Sequence, residues 1–446
     1  MKSVFSKIKY PQLIMLVFGT IIILGTALLS LPIASKSGAW TGFEDALFTS
    51  TSATCVTGLV IFDTFTYWSL FGQIVILLLV QIGGLGFMSV ATGFFLAVRR
   101  KIGLSERMFM QEAAGSAKLG GIVKITKHIL FGTLCFEALG AVLLAFKFCP
   151  EMGFGKGLYY SIFHSVSAFC NAGFDLMGSK KPLSSLESFS GDPYVCIIIA
   201  SLVVIGSLGF LVWEDLFKNK LHFKKYMLHT KVVLVTTAAL IILPTFIIFF
   251  AEMDHSMANM PLGEKIVSSF FHSITLRSAG MVTIEPRLFS NGTLFTTILL
   301  MLVGGSPGSV SGGIKTSTLF LIIAAAVATF RNRDDITAFK RKVDNKLFIK
   351  ACSLTVLYLG GAFFAVFLIS ILQDLPMKMV IFEAFSAIGT VGSTIGATSM
   401  LNTASRAVII LLMYFGRVGI ISISLAFSRH EMQIPVHYPT ENLIIG

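Results

Sequence analysis

The chain has little charge. Asp, Glu, Lys and Arg together make up 13% of its 446 residues, while 54% are hydrophobic. Soluble domains carry roughly a quarter charged residues, so a fold with a wholly water-facing surface is excluded. Cysteine is sparse too. Cys55, Cys135, Cys149, Cys170, Cys196 and Cys352 form no CxxC pair and no regular framework, which argues against a structural metal site or a disulfide scaffold. Enzyme signatures are missing. There is no HExxH, no paired Asp on facing apolar runs, and no Ser–Lys pair beside the glycine segments described below. The chain is not expected to be an enzyme.

What the chain does have is apolar length. Residues 12–33, 70–98, 193–213, 232–251 and 403–427 form runs that reach the ~20 residues a helix needs to cross a bilayer. The net charge is +12. In a soluble protein that excess would suggest nucleic acid. Here the basic residues lie in short loops between apolar runs, where they set topology, so the partner is membrane lipid and not nucleic acid. Lys2, Lys7 and Lys9 precede the first run, and further clusters surround Arg100, Lys225 and Arg341. These loops and both termini are expected in the cytoplasm. The loops carrying Asp63, Glu151, Asp175, Asp192, Glu252, Asp254 and Asp374 are expected outside. No small-residue cleavage site precedes Trp40, so the first run reads as a retained helix.

Four segments line up without a gap: FTSTSATCVTGL at 48–59, FHSVSAFCNAGF at 163–174, FFHSITLRSAGM at 270–281 and FEAFSAIGTVGS at 382–393. Each begins with Phe (Phe48, Phe163, Phe270, Phe382). Each then reaches a glycine (Gly58, Gly173, Gly280, Gly392), and the glycines recur at intervals of 115, 107 and 112 residues. A long apolar run precedes each segment, together with an amphipathic stretch too short to cross a bilayer. A second run follows. The fold expected is an all-α membrane protein of four parallel helix–pore-loop–helix repeats around a central pore, with eight transmembrane helices and four short pore helices. Two spans per repeat put every glycine segment on one face. Inverted repeats, common in secondary transporters, need an odd count. The repeats are assigned to 12–98, 123–217, 228–330 (with a broken second helix) and 346–428, followed by a cytoplasmic tail, 429–446.

Non-helical backbone at membrane depth is tolerated only inside protein or beside water. A short helix followed by an extended strand can aim carbonyls at an axis, where they replace an ion's hydration shell. Four strands crowd there, so their residues must be small. The expected filter is Val56, Thr57 and Gly58; Asn171, Ala172 and Gly173; Ser278, Ala279 and Gly280; and Thr390, Val391 and Gly392. Glycine reaches the positive φ that turns successive carbonyls inward. The carbonyl ends of the short helices favour a cation.

These segments, together with GGSPGSVSGGIKT at 304–316, resemble the Trk/Ktr/HKT superfamily of potassium transporters over nearly the whole chain. The likeness is greatest to the membrane subunits of bacterial Ktr systems. It implies K⁺ uptake across the bacterial plasma membrane through filter carbonyls, without a covalent cofactor and with Na⁺ as a stimulating ion. It also implies a homodimer docked on a regulatory, KtrA-like cytosolic ring that binds nucleotide. Each repeat has one aligned glycine where tetrameric channels have TVGYG, which allows looser selectivity.

The second runs repeat a motif of their own: Ile82-Gly83-Gly84, Ile205-Gly206-Ser207, Val303-Gly304-Gly305 and Phe415-Gly416-Arg417. Glycines so spaced in a membrane helix ordinarily mean close packing, and that reading stays open. The equivalent position reads Gly84, Ser207, Gly305 and Arg417, three small residues and one cation, as if facing a shared cavity. An intramembrane Arg is a functional candidate. The third run is interrupted by Gly304, Gly305, Ser306, Pro307, Gly308, Ser309, Val310, Ser311, Gly312 and Gly313, which cannot continue a helix. The run also lacks the Gly-Lys of a phosphate loop. It is expected to be a flexible gate, with Arg417 beside it. Of the remaining polar residues, His164 and His272 are expected to satisfy buried hydrogen bonds, Arg277 to brace the filter and Glu137 to pair with a neighbouring helix. A coupled cation symporter working by alternating access is the alternative function.

Overall fold

The computed structural model describes residues 10–86, 122–179, 181–220 and 222–419. The basic cluster around Arg100 and the tail 429–446 lie outside the described residues, as do the ends of the first and fourth repeats. Repeat 1 consists of α1 (Tyr10–Ser30), α2 (Phe43–Thr54) and α3 (Leu70–Leu85). Repeat 2 has α4 (Ile122–Met152), α5 (Phe154–Phe169), α6 (Pro193–Leu208) and α7 (Phe210–Asn219). Repeat 3 has α8 (Leu228–Glu252), α9 (Leu262–Ser278), α10 (Asn291–Leu302) and α11 (Thr316–Phe330). After an antiparallel hairpin of β1 (Thr337–Ala338) and β2 (Arg341–Lys342), repeat 4 has α12 (Asn345–Leu372), α13 (Met377–Gly389) and α14 (Thr403–Val418).

The first helix of every repeat is long and apolar enough to cross a bilayer, over Gln12–Ser30, Thr126–Met152, Leu228–Glu252 and Asn345–Leu372. Hydrocarbon offers the backbone no partner, and a helix satisfies every N–H and C=O internally. Hydroxyls on these helices also turn inward: Thr26 donates to Ile22 O at 2.8 Å, Thr245 to Ile241 O at 2.7 Å and Ser370 to Val366 O at 2.8 Å. Ile23, Phe131, Phe246 and Phe364 point outward, as suits side chains facing hydrocarbon.

The second helices start alike. Ser69, Asp192, Ser290 and Asn402 each accept a backbone N–H of the first turn of α3, α6, α10 and α14, filling the position that favours short polar side chains. They do not run on as the uninterrupted spans expected from hydropathy. Those of repeats 1, 2 and 4 stop at Gly86, Gly209 and Gly419, where φ is 76°, 88° and 89°. At Gly209 the chain turns by 97° from α6 into α7. A left-handed glycine ends a helix whatever the polarity of the residues around it.

The short helices α2, α5, α9 and α13 lie innermost. The ungapped alignment holds at the glycines but slips by one residue in α9. The bond that closes each helix runs from Thr57 N to Ser52 O, from Ala172 N to Ser167 O and from Val391 N to Ser386 O, but from Gly280 N to Thr275 O. Phe271, and not Phe270, therefore occupies the place of Phe48, Phe163 and Phe382. All four are fully buried, whereas Phe270 is 38% exposed. The cores run from repeat to repeat: Ile22 and Phe48 of repeat 1 pack in one cluster with Tyr358 and Phe385 of repeat 4.

Candidate ion pathway

The four glycine segments meet in a closed ring. A side chain built on Gly58 would strike Ala172 O, one on Gly173 would strike Ala279 O, one on Gly280 Val391 O and one on Gly392 Thr57 O, each within 2.6 Å. Every repeat thus touches the next, and the fourth touches the first. φ is 89°, 73°, 64° and 91° at the four glycines, a region that L side chains rarely adopt. Two residues earlier stand Val56, Asn171 and Thr390, also left-handed at 56°, 58° and 52°. For β-branched Val and Thr this is an outlier. Strain of this kind concentrates where function requires an unusual backbone direction. In repeat 3 the equivalent Ser278 stays helical, which accounts for the one-residue slip.

The backbone N–H groups of Thr57, Ala172, Gly280 and Val391 are bound to their own short helices at 2.8–2.9 Å. Among the described residues, the carbonyls of Thr57, Ala172, Ala279 and Val391 accept no hydrogen bond. Buried carbonyls are normally paired, so this ring is chemically able to coordinate a cation. A cavity of about 300 Å³ lies against it, lined by all four glycines and by Asp63, Asp175, Glu187 and Glu285.

Behind the ring, the repeated glycines of the second helices pack on the ends of the short helices. Gly83 abuts Thr54 O, Gly206 abuts Phe169 O and Gly416 abuts Ile388 O. The packing reading of that motif is therefore correct for these three. The adjacent position differs. Gly84 meets the Cys170 thiol and Gly305 meets Ser207 O. The Asn171 amide joins the hydroxyls of Ser207 (2.8 Å) and Ser278 (3.1 Å). Arg417 is partly buried and donates to Val310 O, Gly83 O and Gly84 O, the last at 3.0 Å. One side chain thus links repeats 1, 3 and 4.

The interrupting loop of repeat 3 is well tied. Ser306 N donates to Ser207 O (2.9 Å), Phe210 N to Gly308 O (3.0 Å), Gly304 N to Ile314 O (3.0 Å), Thr316 N to Gly305 O (3.1 Å) and Gly305 N to the Ser311 hydroxyl (2.9 Å). Gly308 and Gly313 supply left-handed turns. Gly312 approaches Thr390 so closely that a side chain there would collide with it. The loop is thus more constrained than its composition suggests. Lys315, unremarked in the sequence, donates to Ser311 O at 2.5 Å. Its place in the GGIKT run next to the glycines was the available signal.

Glu137 is paired across repeats as expected, its carboxylate accepting from Gln81 Nε2 at 3.1 Å. Arg277 departs from expectation. It is fully buried, yet none of its guanidinium nitrogens has a hydrogen-bond partner among the described residues, so it braces no filter strand through a hydrogen bond.

Residues 7–435 match the family model described as TrkH, cation transport protein. The chain is 38% identical to the potassium/sodium uptake protein NtpJ of Enterococcus hirae, over 100% of this chain and 99% of that one. It is 36% identical to Ktr system potassium uptake protein B of Bacillus subtilis, over 98% and 96%. The solved potassium transporter TrkH from Vibrio parahaemolyticus superposes with a TM-score of 0.75 at 16% identity, covering 93% of this chain and 83% of that chain, a likeness of fold.

Proposed function

The chain belongs to the TrkH cation transport family, and from that premise we propose that it takes up K⁺ through the ring of four glycine segments, as a channel-like pore with an intramembrane gate. The observation that carries the reading is the closed ring of unpaired carbonyls, Thr57, Ala172, Ala279 and Val391. A dehydrated monovalent cation needs several oxygen partners at once, and these carbonyls need a partner. The relatives' names, potassium uptake and potassium/sodium uptake, support K⁺ with Na⁺ as a second ion. Arg417 and the 304–313 loop form the barrier below. A fixed positive charge in a poorly hydrated passage repels a cation, because Coulomb energy rises as the effective dielectric falls. Opening exchanges the loop's hydrogen bonds, each worth about 1 kcal/mol net, for others. The protein works as a homodimer whose basic cytoplasmic loops dock a nucleotide-binding regulatory ring.

Isotope flux into proteoliposomes, comparing K⁺, Rb⁺ and Na⁺, tests the reading. Gly→Ser at Gly58, Gly173, Gly280 or Gly392 should lower discrimination, since the new side chain displaces a neighbouring carbonyl. Wild-type discrimination in all four variants overturns the filter. Uptake that strictly requires stoichiometric Na⁺ favours a coupled symporter.

A further inference from the structure

The short helices carry a second set of equivalent residues that the sequence alignment hides. Three positions before the acceptors of the closing bonds (Ser52, Ser167, Thr275 and Ser386) stand Thr49, His164, His272 and Glu383. In repeats 2 and 3 this residue tethers the chain leaving the ring. His164 Nε2 accepts from Leu176 N at 3.3 Å, its Nδ1–H directed to Tyr160 O at 2.8 Å. His272 Nε2 accepts from Ile284 N at 3.2 Å. In repeat 1 the Thr49 hydroxyl instead donates within its own helix, to Asp45 O at 2.9 Å.

Repeat 4 is built differently. Glu383 is fully buried. One carboxyl oxygen accepts from the Thr394 hydroxyl at 2.6 Å, and the other accepts from the Thr398 hydroxyl. Thr394 Oγ1 in turn accepts from Gly396 N at 3.1 Å. One carboxyl thus clamps two points of the outgoing chain on either side of Gly396, whose φ is 97°. Among the described residues, apart from the turn bond of Met400 N to Ala397 O, every hydrogen bond that ties 393–399 to the rest of the protein ends on this carboxyl. The segment is rich in Gly, Ser and Thr, and glycine restrains backbone direction least of all residues. The N–H groups of Val391 and Gly392 are held by Ser386, through its carbonyl at 2.9 Å and its hydroxyl at 3.1 Å; the clamp holds the chain that follows them.

We infer that Glu383 is a positioning residue for ion selectivity, holding the fourth strand of the ring through Thr394 and Thr398 so that its carbonyls keep the spacing that a K⁺ ion requires. The inference rests on the filter reading above. Each carboxyl oxygen takes one hydroxyl, so a single side chain restrains the segment at two points. The other three strands are tethered differently, so loss of this clamp distorts one quadrant and leaves the pore conducting.

The test is K⁺, Rb⁺ and Na⁺ flux per folded protein in proteoliposomes for Glu383→Gln, the double variant Thr394→Val/Thr398→Val and the rescue pair Thr394→Ser/Thr398→Ser, with Gly392→Ser as reference. The K⁺/Na⁺ flux ratio should fall by roughly threefold to tenfold in the first two, since the Gln amide nitrogen cannot accept a hydroxyl and valine offers none. It should return to the wild-type value in the serine pair, which keeps both hydroxyls. A role in folding alone would lower the yield of monodisperse protein without moving the ratio. If Glu383→Gln does not fold, the threonine variants carry the test. Wild-type ratios in the clamp variants, alongside a lowered ratio in Gly392→Ser, overturn this inference and leave the filter standing. A wild-type ratio in Gly392→Ser and in its three counterparts removes the filter reading itself.

Discussion

Arg417 reaches carbonyls of two other repeats. Arg417→Ala should raise basal K⁺ flux in proteoliposomes, because the substitution removes the fixed charge and frees Val310 O. Unchanged flux from a protein that still elutes as a single species would make Arg417 a packing residue. Asp175, beyond the ring, titrates near neutral pH. Burial pushes its carboxyl from the usual carboxylate range up to about 7, the N–H of Met177 opposing and the charge of Asp63 adding to the rise. A carboxyl whose folded pKa lies above its unfolded one binds protons more readily in the fold. Its contribution to stability is greatest in acid and is lost as pH rises from about 4 to about 7. The melting temperature of the detergent-solubilised protein should therefore fall over that window, and less so in Asp175→Asn. Equal slopes for the two proteins would mean that the carboxyl titrates normally.

At the scale of elements, the glycine-terminated second helices and the loop 303–315 belong together. α6 turns at Gly209 directly against the loop, with Phe210 N bound to Gly308 O at 3.0 Å. The loop in turn sits against Thr390 and accepts from Arg417. A stretch of glycines and serines would be loose in isolation. Here the end of α6 and α14 hold it. Removing two residues between Gly305 and Gly312 should raise basal flux. Combining that deletion with Arg417→Ala should give less than the sum of the two effects, because contacting groups that form one barrier are not additive. Full additivity, read as the logarithm of the flux ratio, would mean two separate barriers.

For the whole molecule, the question is how a linear chain closes a ring. Repeat 4 returns to repeat 1 through several independent contacts: Arg406 with Asp45 at 2.8 Å, the Thr403 hydroxyl with Glu44 at 3.0 Å, and the Tyr414 hydroxyl with Met15 O at 2.7 Å. The shared apolar cluster of Ile22, Phe48, Tyr358 and Phe385 lies beneath them. Two crossings per repeat would place every glycine segment on one side, and the positive-inside bias would place the basic loops on the other. Single cysteines introduced near Arg100, Lys225 and Arg341 should accordingly react with membrane-impermeant maleimide only from the cytoplasmic side. External labelling near Arg100 would overturn the parallel-repeat topology. Neutralising Lys218, Lys220, Lys224 and Lys225 should weaken capture of a nucleotide-binding partner from cytosol, and unaltered nucleotide regulation would remove that surface from the docking site.

The sequence by itself determined the membrane class, the four first helices, the four glycines, the interrupted third repeat and the candidacy of Arg417. These follow from apolar length, residue spacing and local backbone preference, which need no neighbour in space. Tertiary structure alone decided the rest. The slip in α9 exists because its helix continues through Ser278 while its counterparts turn left-handed two residues before their glycines. The shared FHS at 163–165 and 271–273 was the one sequence sign of it. Left-handed Val56 and Thr390 run against their own conformational preference, and the bonds that close their helices, from Thr57 N to Ser52 O and from Val391 N to Ser386 O, hold them there together with burial. Likewise, neither the carbonyl partners of Arg417 nor the clamp made by Glu383 has a signature in residue order, since each depends on which atoms the closed ring brings within hydrogen-bond reach.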